Sequence, residues 1–177
     1  FYHHRMDPET PLEETMGALD SIVKSGKALY VGLSNYDGPT LRKATAILSD
    51  LKCPFIINQN RYSIFDRTIE NNALKDTAYE LKKGIIAFSP LAQGLLTNRY
   101  LNGIPTDSRI ATDGRFLKES AQTLAEMALS WILRDDKVTS VLIGASKPEQ
   151  ILDNIKIIGH TDFTEEELQK IETIVQG

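Results

Sequence analysis

His4, Ser34-Asn35, Gln59, Ser89 and Ser146 are the polar residues whose placement could do chemistry, because each follows a different short apolar run. The fullest case is Val138–Asn154, VTSVLIGASKPEQILDN. Val138, Val141, Leu142 and Ile143 are apolar and mostly β-branched, which reads as a buried strand over Val138–Ala145. Gly144-Ala145-Ser146 turns the chain and Pro148 stands at the first helical position. Ser146 or Lys147 is then the N-cap, with Gln150, Asp153 and Asn154 on the opening turns. A strand ending in small residues before a helix N-terminus offers free N–H groups and a favourable dipole to an anion. Lys147 adds a full positive charge. An ordinary capped strand–helix connection has the same pattern.

The other positions have two readings each. His3 and His4 alternate across a strand, so only one can face inward, where an imidazole could donate to a substrate oxygen. The plain alternative is a histidine bonded to a neighbouring loop. Gln59 offers the donor and acceptor that a carboxamide needs. Phe88 could present a ring face for stacking or be a core aromatic. Arg99 and Arg109 lie in a long irregular stretch, Leu91 to about Ser120. Guanidiniums there could grip phosphates, or be surface charges.

The elements that position these residues alternate. FYHHRMD reads as the end of a strand whose beginning is missing. Leu12–Ser25 is a helix closed by Gly26, Ala28–Leu33 a strand, and Pro39 opens a helix through Leu51. Pro54–Asn58 is a strand, Ile69–Lys83 a helix and Gly84–Phe88 a strand. Leu124, Met127, Ala128 and Trp131 mark a helix, Pro148–Ile158 another, and Thr164 with Glu167 caps a terminal one. Short strands apolar on both faces, separated by helices, mean an α/β fold with a parallel sheet, and five strands are visible. In such folds ligands bind at the C-terminal ends of the strands. A closed eight-unit barrel takes about 250 residues, more than the 177 here. No GxGxxG fingerprint occurs, against a Rossmann reading.

Composition bounds the partners. With 41% hydrophobic and 25% charged residues the chain is of the soluble globular class, long enough for one domain over 1–177. A net charge of −4 with no basic stripe argues against a nucleic acid. No apolar run is long enough for a membrane span, and no signal-peptide pattern is present. The single Cys53 cannot form an internal disulfide and reads as a packed small hydrophobe, so the cytoplasm is the default location.

HHRMDP near the start, GLSNY at 32–36, NQNRYS at 58–63, FSPLAQGLL at 88–96 and IGASKPEQILDN at 143–154 together resemble the aldo-keto reductases. Their order and spacing agree, and the resemblance covers essentially the whole chain. DPETPLEETMGAL and SPLAQGLLTNRYLNGIPTDSR resemble the bacterial branch of glyceraldehyde-3-phosphate and methylglyoxal reductases, akin to potassium-channel β subunits. The resemblance implies a (β/α)8 TIM barrel, of which this chain supplies the C-terminal portion. It also implies NADPH across the rim and hydride transfer to a small-molecule carbonyl. By resemblance, His4 matches the catalytic histidine, Ser34, Asn35 and Gln59 hold the nicotinamide carboxamide, and Phe88 stacks on the nicotinamide. Ser89, Pro90, Leu91, Gln93 and Gly94 match the pyrophosphate loop, and Arg99 and Arg109 belong to a cofactor-covering loop at 91–120. Gly144, Ser146, Lys147, Gln150 and Asn154 match the 2′-phosphate and adenine site, with Asp153 at an acidic position there. The family's catalytic Asp, Tyr and Lys have no match here, and the junction near Ser120 looks short. The expectation is a parent protein longer than 177 residues. A non-catalytic NADPH-binding, redox-sensing subunit is the alternative.

Overall fold

Every strand in the computed structural model, which describes residues 1–97 and 123–176, runs parallel to its neighbours. The strands are β1 (Tyr2–His3), β2 (Val31–Ser34), β3 (Phe55–Arg61), β4 (Gly84–Phe88) and β5 (Ser140–Val141), and their order in the sheet is their order in the chain. Helices α1 (Leu12–Lys24), α2 (Gly38–Asp50), α3 (Thr68–Asn71), α4 (Leu74–Glu80) and α5 (Leu124–Ile132) form the crossovers, and α6 (Pro148–Ile155) and α7 (Glu165–Gln176) follow β5. A parallel pair cannot be joined by a tight hairpin, so each connection crosses back through a helix. That returns every strand to the same end of the sheet.

Local signals set the helix ends. Glu13 and Glu14 lie at the positive end of α1 and Lys24 at its negative end. Gly26, at φ +75°, stops it, with its N–H on the Val23 carbonyl and the Lys27 N–H on that of Ile22. In α2 the Asp37 carboxylate accepts from the Thr40 N–H at 2.8 Å, and Leu41, Ala44 and Leu48 turn inward. Thr164 and Glu167 form the capping box read from sequence.

The core lies between the helices and one face of the sheet: Val31, Leu33, Ile85 and Ala87 pack with Met16, Leu19, Leu41, Leu48, Leu74 and Trp131. On the opposite face Ile57, Gln59, Ile86 and Phe88 are only half-buried. Tyr2 lies over Gly32 there, where a Cβ would come within 2.6 Å of its ring. Among the described residues no helix is long and apolar enough to cross a membrane.

Several expectations are corrected. Ile69–Lys83 is two helices, because Ala73 takes a left-handed φ of 60° and Asn72 caps α4 through the Leu74 N–H. The second strand starts at Val31 and the third runs on to Arg61. The third is not apolar on both faces: Asn58 and Asn60 are buried on the helix side and bond to each other. The last strand shrinks to Ser140–Val141, since its only pairing among the described residues is to β4. The helix after β5 ends at Ile155 rather than Ile158.

A charge cluster ties the end of β3 to α3, α5 and α7. Glu70 accepts from the Tyr62 hydroxyl, from Arg134 at 2.9 Å and from Arg67 at 3.1 Å. Arg67 also reaches Glu172, and the Arg67 and Arg134 guanidiniums lie 3.9 and 3.6 Å from the centre of the Trp131 ring. Burial alone would raise the Glu70 pKa, but the donors and the positive charge outweigh it and hold it at about 2, below its usual 4.5. A depressed carboxylate pKa stabilises the fold above the unfolded value and loses that contribution as pH falls through the folded one. Urea midpoints measured against pH should therefore fall between about 4.5 and 2, and Glu70→Gln should be less stable at neutral pH with a shallower fall across that window. Equal slopes in the two proteins would contradict the assignment.

Candidate functional site

The residues after β1, β2 and β3 are tied together by hydrogen bonds. Asn35 takes a left-handed φ of 60°, which asparagine tolerates better than most residues. Its N–H and the Ser34 hydroxyl both donate to the Gln59 carbonyl, at 3.1 and 2.7 Å. The Asn35 side-chain amide donates to the Ser34 hydroxyl at 3.1 Å and to the His4 carbonyl at 3.0 Å. The Ser34 hydroxyl and the Asn35 backbone and side-chain N–H groups are thus engaged in holding three strand ends together.

Register places the remaining groups. Tyr2 stands opposite Gly32, Ser34 opposite Gln59, and Gln59 opposite Ile86. Alternation then puts His4, Ser34, Gln59 and Phe88 on one face of four successive strands. His3 faces the other way and its Nδ1 is 3.0 Å from the buried Tyr36 hydroxyl, which settles which histidine is available. Burial lowers the His3 pKa, and the neighbouring His4 lowers it further. Among the described residues, neither the His4 ring nor the Gln59 carboxamide has a hydrogen-bond partner.

Beyond Phe88 the face runs into a groove of about 880 Å³ between the end of β4, the start of α5 and α6. Ten of the residues singled out from sequence line it: Phe88, Ser89, Pro90, Leu91, Gln93 and Gly94 on one wall, Gly144, Gln150, Asp153 and Asn154 on the other. Ser89, Ala92, Gln93 and Gly94 all have positive φ, which coils this loop into a tight turn closed by the Gly94 N–H on the Leu91 carbonyl at 2.9 Å. Ser146 and Lys147 sit at the start of α6 and do not line the groove, and His4, Ser34, Asn35 and Gln59 form the separate cluster above. Arg99, Arg109 and most of the 91–120 loop lie outside the described residues.

At the anion position read from sequence, the protein's own Gln150 occupies the donors. Lys147 is the N-cap residue, and the Gln150 side-chain oxygen accepts from the Ser146 N–H at 2.8 Å, the Ser146 hydroxyl at 3.2 Å and the Lys147 N–H at 3.2 Å. The Asp153 carboxylate is held by Lys156 at 2.7 Å, a bond that raises the Lys156 pKa. Sequence reading missed Thr97, Thr123, Ala125, Glu126 and Lys156 as groove residues. The Thr123–Glu126 capping box, T-x-x-E before an apolar helix, was a visible signal for two of them. Leu142 and Ile143, read as buried strand, also line the groove, and Leu142 is 54% exposed.

Removing the self-made cap should be measurable directly. In Gln150→Ala, amide hydrogen exchange at Ser146 and Lys147 should accelerate about threefold to tenfold, the worth of a net hydrogen bond. Unchanged rates would mean that the Gln150 contact contributes nothing in solution.

The aldo/keto reductase family model matches residues 1–176. The chain is 44% identical over 195 residues to the L-glyceraldehyde 3-phosphate reductase of Escherichia coli strain K12, covering 97% of this chain and 56% of that protein. It is 33% identical over 203 residues to a probable voltage-gated potassium channel subunit beta of Oryza sativa subsp. japonica, covering 99% and 61%. The alignments are longer than the chain, so these relatives carry residues within the matched span that this chain lacks. Among solved structures, a thermostable aldo-keto reductase crystallised with the inhibitor epalrestat superposes with a TM-score of 0.74 at 27% identity, over 97% of this chain and 58% of that one. The chain thus spans little more than half the length of these relatives, its five βα units are of the TIM-barrel type, and it belongs to the aldo/keto reductase family of oxidoreductases.

Proposed function

We propose that this chain carries the NADP(H)-binding and histidine part of a carbonyl-reducing site. The observation that supports this most is the row His4, Ser34, Gln59 and Phe88 on one sheet face, opening into the 880 Å³ groove. The residues fit the cofactor: Gln59 has a carboxamide to pair with a carboxamide, Phe88 a half-buried ring, and the 89–94 turn a tight backbone beside the groove. The start of α6 fits the anionic end, provided that Gln150 yields its N–H groups. Bound there, the cofactor would supply the hydride. His4 would then orient the carbonyl oxygen by hydrogen bonding. Arg99 and Arg109 would pair with the cofactor phosphates as a covering loop.

The proton donor is the weak point of the chain taken alone. Tyr36 and Tyr62 are fully buried, and burial pushes Tyr36 up to about 12 and Tyr62 higher still. Neither faces the row of His4 and Gln59. Neither can therefore supply the acid beside His4, a contribution of roughly 10²–10⁴ in rate, so the described residues on their own should bind NADPH and support only slow turnover. The similarity to a probable channel β subunit favours a second reading, a binding subunit that senses or signals cofactor redox state. A small-molecule carbonyl partner and a cytoplasmic setting go with the first reading, and the net charge of −4 keeps nucleic acid out of both.

NADPH titration followed by fluorescence, then cofactor oxidation with an added probe aldehyde, tests both. Saturable binding weakened about tenfold in Gln59→Ala, one buried polar contact, supports the cofactor site, and detectable turnover lost in His4→Ala supports the reductase. Tight binding with no turnover at any aldehyde concentration would favour the regulatory reading. No saturable binding would sink both.

A further inference from the structure

His4 stands just beyond a two-residue strand at the end of the sheet, with an exposed side chain. Besides the β1–β2 pairing, residues 34–36 bond to this stretch. The Asn35 amide grips the His4 carbonyl at 3.0 Å. One residue further on, Tyr36 reaches back to His3, with its hydroxyl 3.0 Å from Nδ1 and the two rings edge-on at 6.0 Å and 73°.

Tyr36 is itself well anchored. It is 1% exposed, packed in the core, and its carbonyl accepts from the Asn60 side chain of β3 at 3.2 Å. Its hydroxyl stays protonated at neutral pH and shares a hydrogen bond with Nδ1 of the His3 ring, in which the ring tautomer sets which group donates. The His3 backbone is therefore pinned through its side chain to β3, and His4 is flanked by a bond to its own carbonyl and a bond to its predecessor.

We propose that Tyr36 is a positioning residue that fixes His4 through the Tyr36–His3 hydrogen bond. The inference deepens the reductase reading and rests on it for the role of His4. Tyr36 touches neither cofactor nor substrate; it restricts where the His4 imidazole can point. A misplaced group loses rate out of proportion to the distance moved.

The test uses the purified protein and reads His4 directly. Backbone ¹⁵N relaxation should give His4 an order parameter near the roughly 0.85 of rigid backbone, falling toward roughly 0.6 in Tyr36→Phe. His3→Leu should behave alike, and the double variant should fall no further, as two ends of one bond must. His3→Asn, which keeps an acceptor near the position of Nδ1, should restore the order. Leu41→Ala, a core change elsewhere, lowers stability and should leave His4 unchanged, which separates positioning from general destabilisation. Turnover of NADPH with a probe aldehyde should fall about tenfold in Tyr36→Phe with the KM for NADPH unaltered. Unchanged His4 order and turnover in Tyr36→Phe would overturn the proposal. A wild-type protein that never turns over, but whose His4 loosens in these variants, would overturn the reductase reading and leave the brace standing.

Discussion

Parallel pairing is the constraint on which everything else depends. Five strands in chain order, each pairing parallel to the last, force every connection across a helix and deliver every strand end to one rim. Residues 4, 34, 59, 88 and 144, far apart in the chain, come to one rim for that reason. The helices bury one face of the sheet and leave Ile57, Gln59, Ile86 and Phe88 half-covered on the other. In a TIM barrel the face without helices is the one turned inward, and Gln59 stands on it with no hydrogen-bond partner for its carboxamide among the described residues.

The rim residues divide into those that build and those that present. Ser34 and Asn35 spend their polar atoms on the carbonyls of Gln59 and His4 and on each other. Asn35 does so from a left-handed conformation that places its amide between β1 and β2. Such bonds are individually worth about 1 kcal/mol, but here they act at strand ends where the ladder is running out. The groups left to meet a ligand include the His4 ring and the Gln59 carboxamide, whose backbones these bonds fix, and the Phe88 face, held by the β3–β4 ladder. A resemblance assigns Ser34 and Asn35 to the ligand, whereas the geometry gives them a prior engagement that a ligand must share.

Much of this was legible because the signals were local. Pro39, Gly26, the Thr164–Glu167 box and the run Gly84–Phe88 each specify their element within a few residues, and all were placed by the chain's own chemistry. What failed depended on distant neighbours. Strand length is set by how much partner there is to pair with, so Val138–Ala145 contracts to Ser140–Val141 beside β4 alone. Asn58 and Asn60 interrupt an apolar face because Asn60 satisfies the Tyr36 carbonyl, a contact no periodicity reveals. The helix break at Ala73 needs a left-handed residue that is neither glycine nor asparagine, and its sequence carries no warning. Groove residues such as Lys156 escaped because they belong to the site only through the folding of α6 onto α5.

The start of α6 shows why an anion site can be both filled and ready. The N–H groups of Ser146 and Lys147 and the Ser146 hydroxyl all converge on one oxygen atom of Gln150. Their aim is therefore fixed before any ligand arrives, and the ordering entropy has been spent in folding. Exchanging that neutral amide oxygen for an anionic one replaces ordinary hydrogen bonds with charge-assisted ones, which are about twice as strong. The displaced Gln150 is exposed and needs only a rotamer change to regain water or a ligand edge. The helix dipole and Lys147 act on the anion and hardly at all on the amide, so the balance tips by charge. Were the proposed phosphate to bind at the start of α6, its affinity would be a competition with an internal cap, set by ionic strength and ligand charge more than by shape.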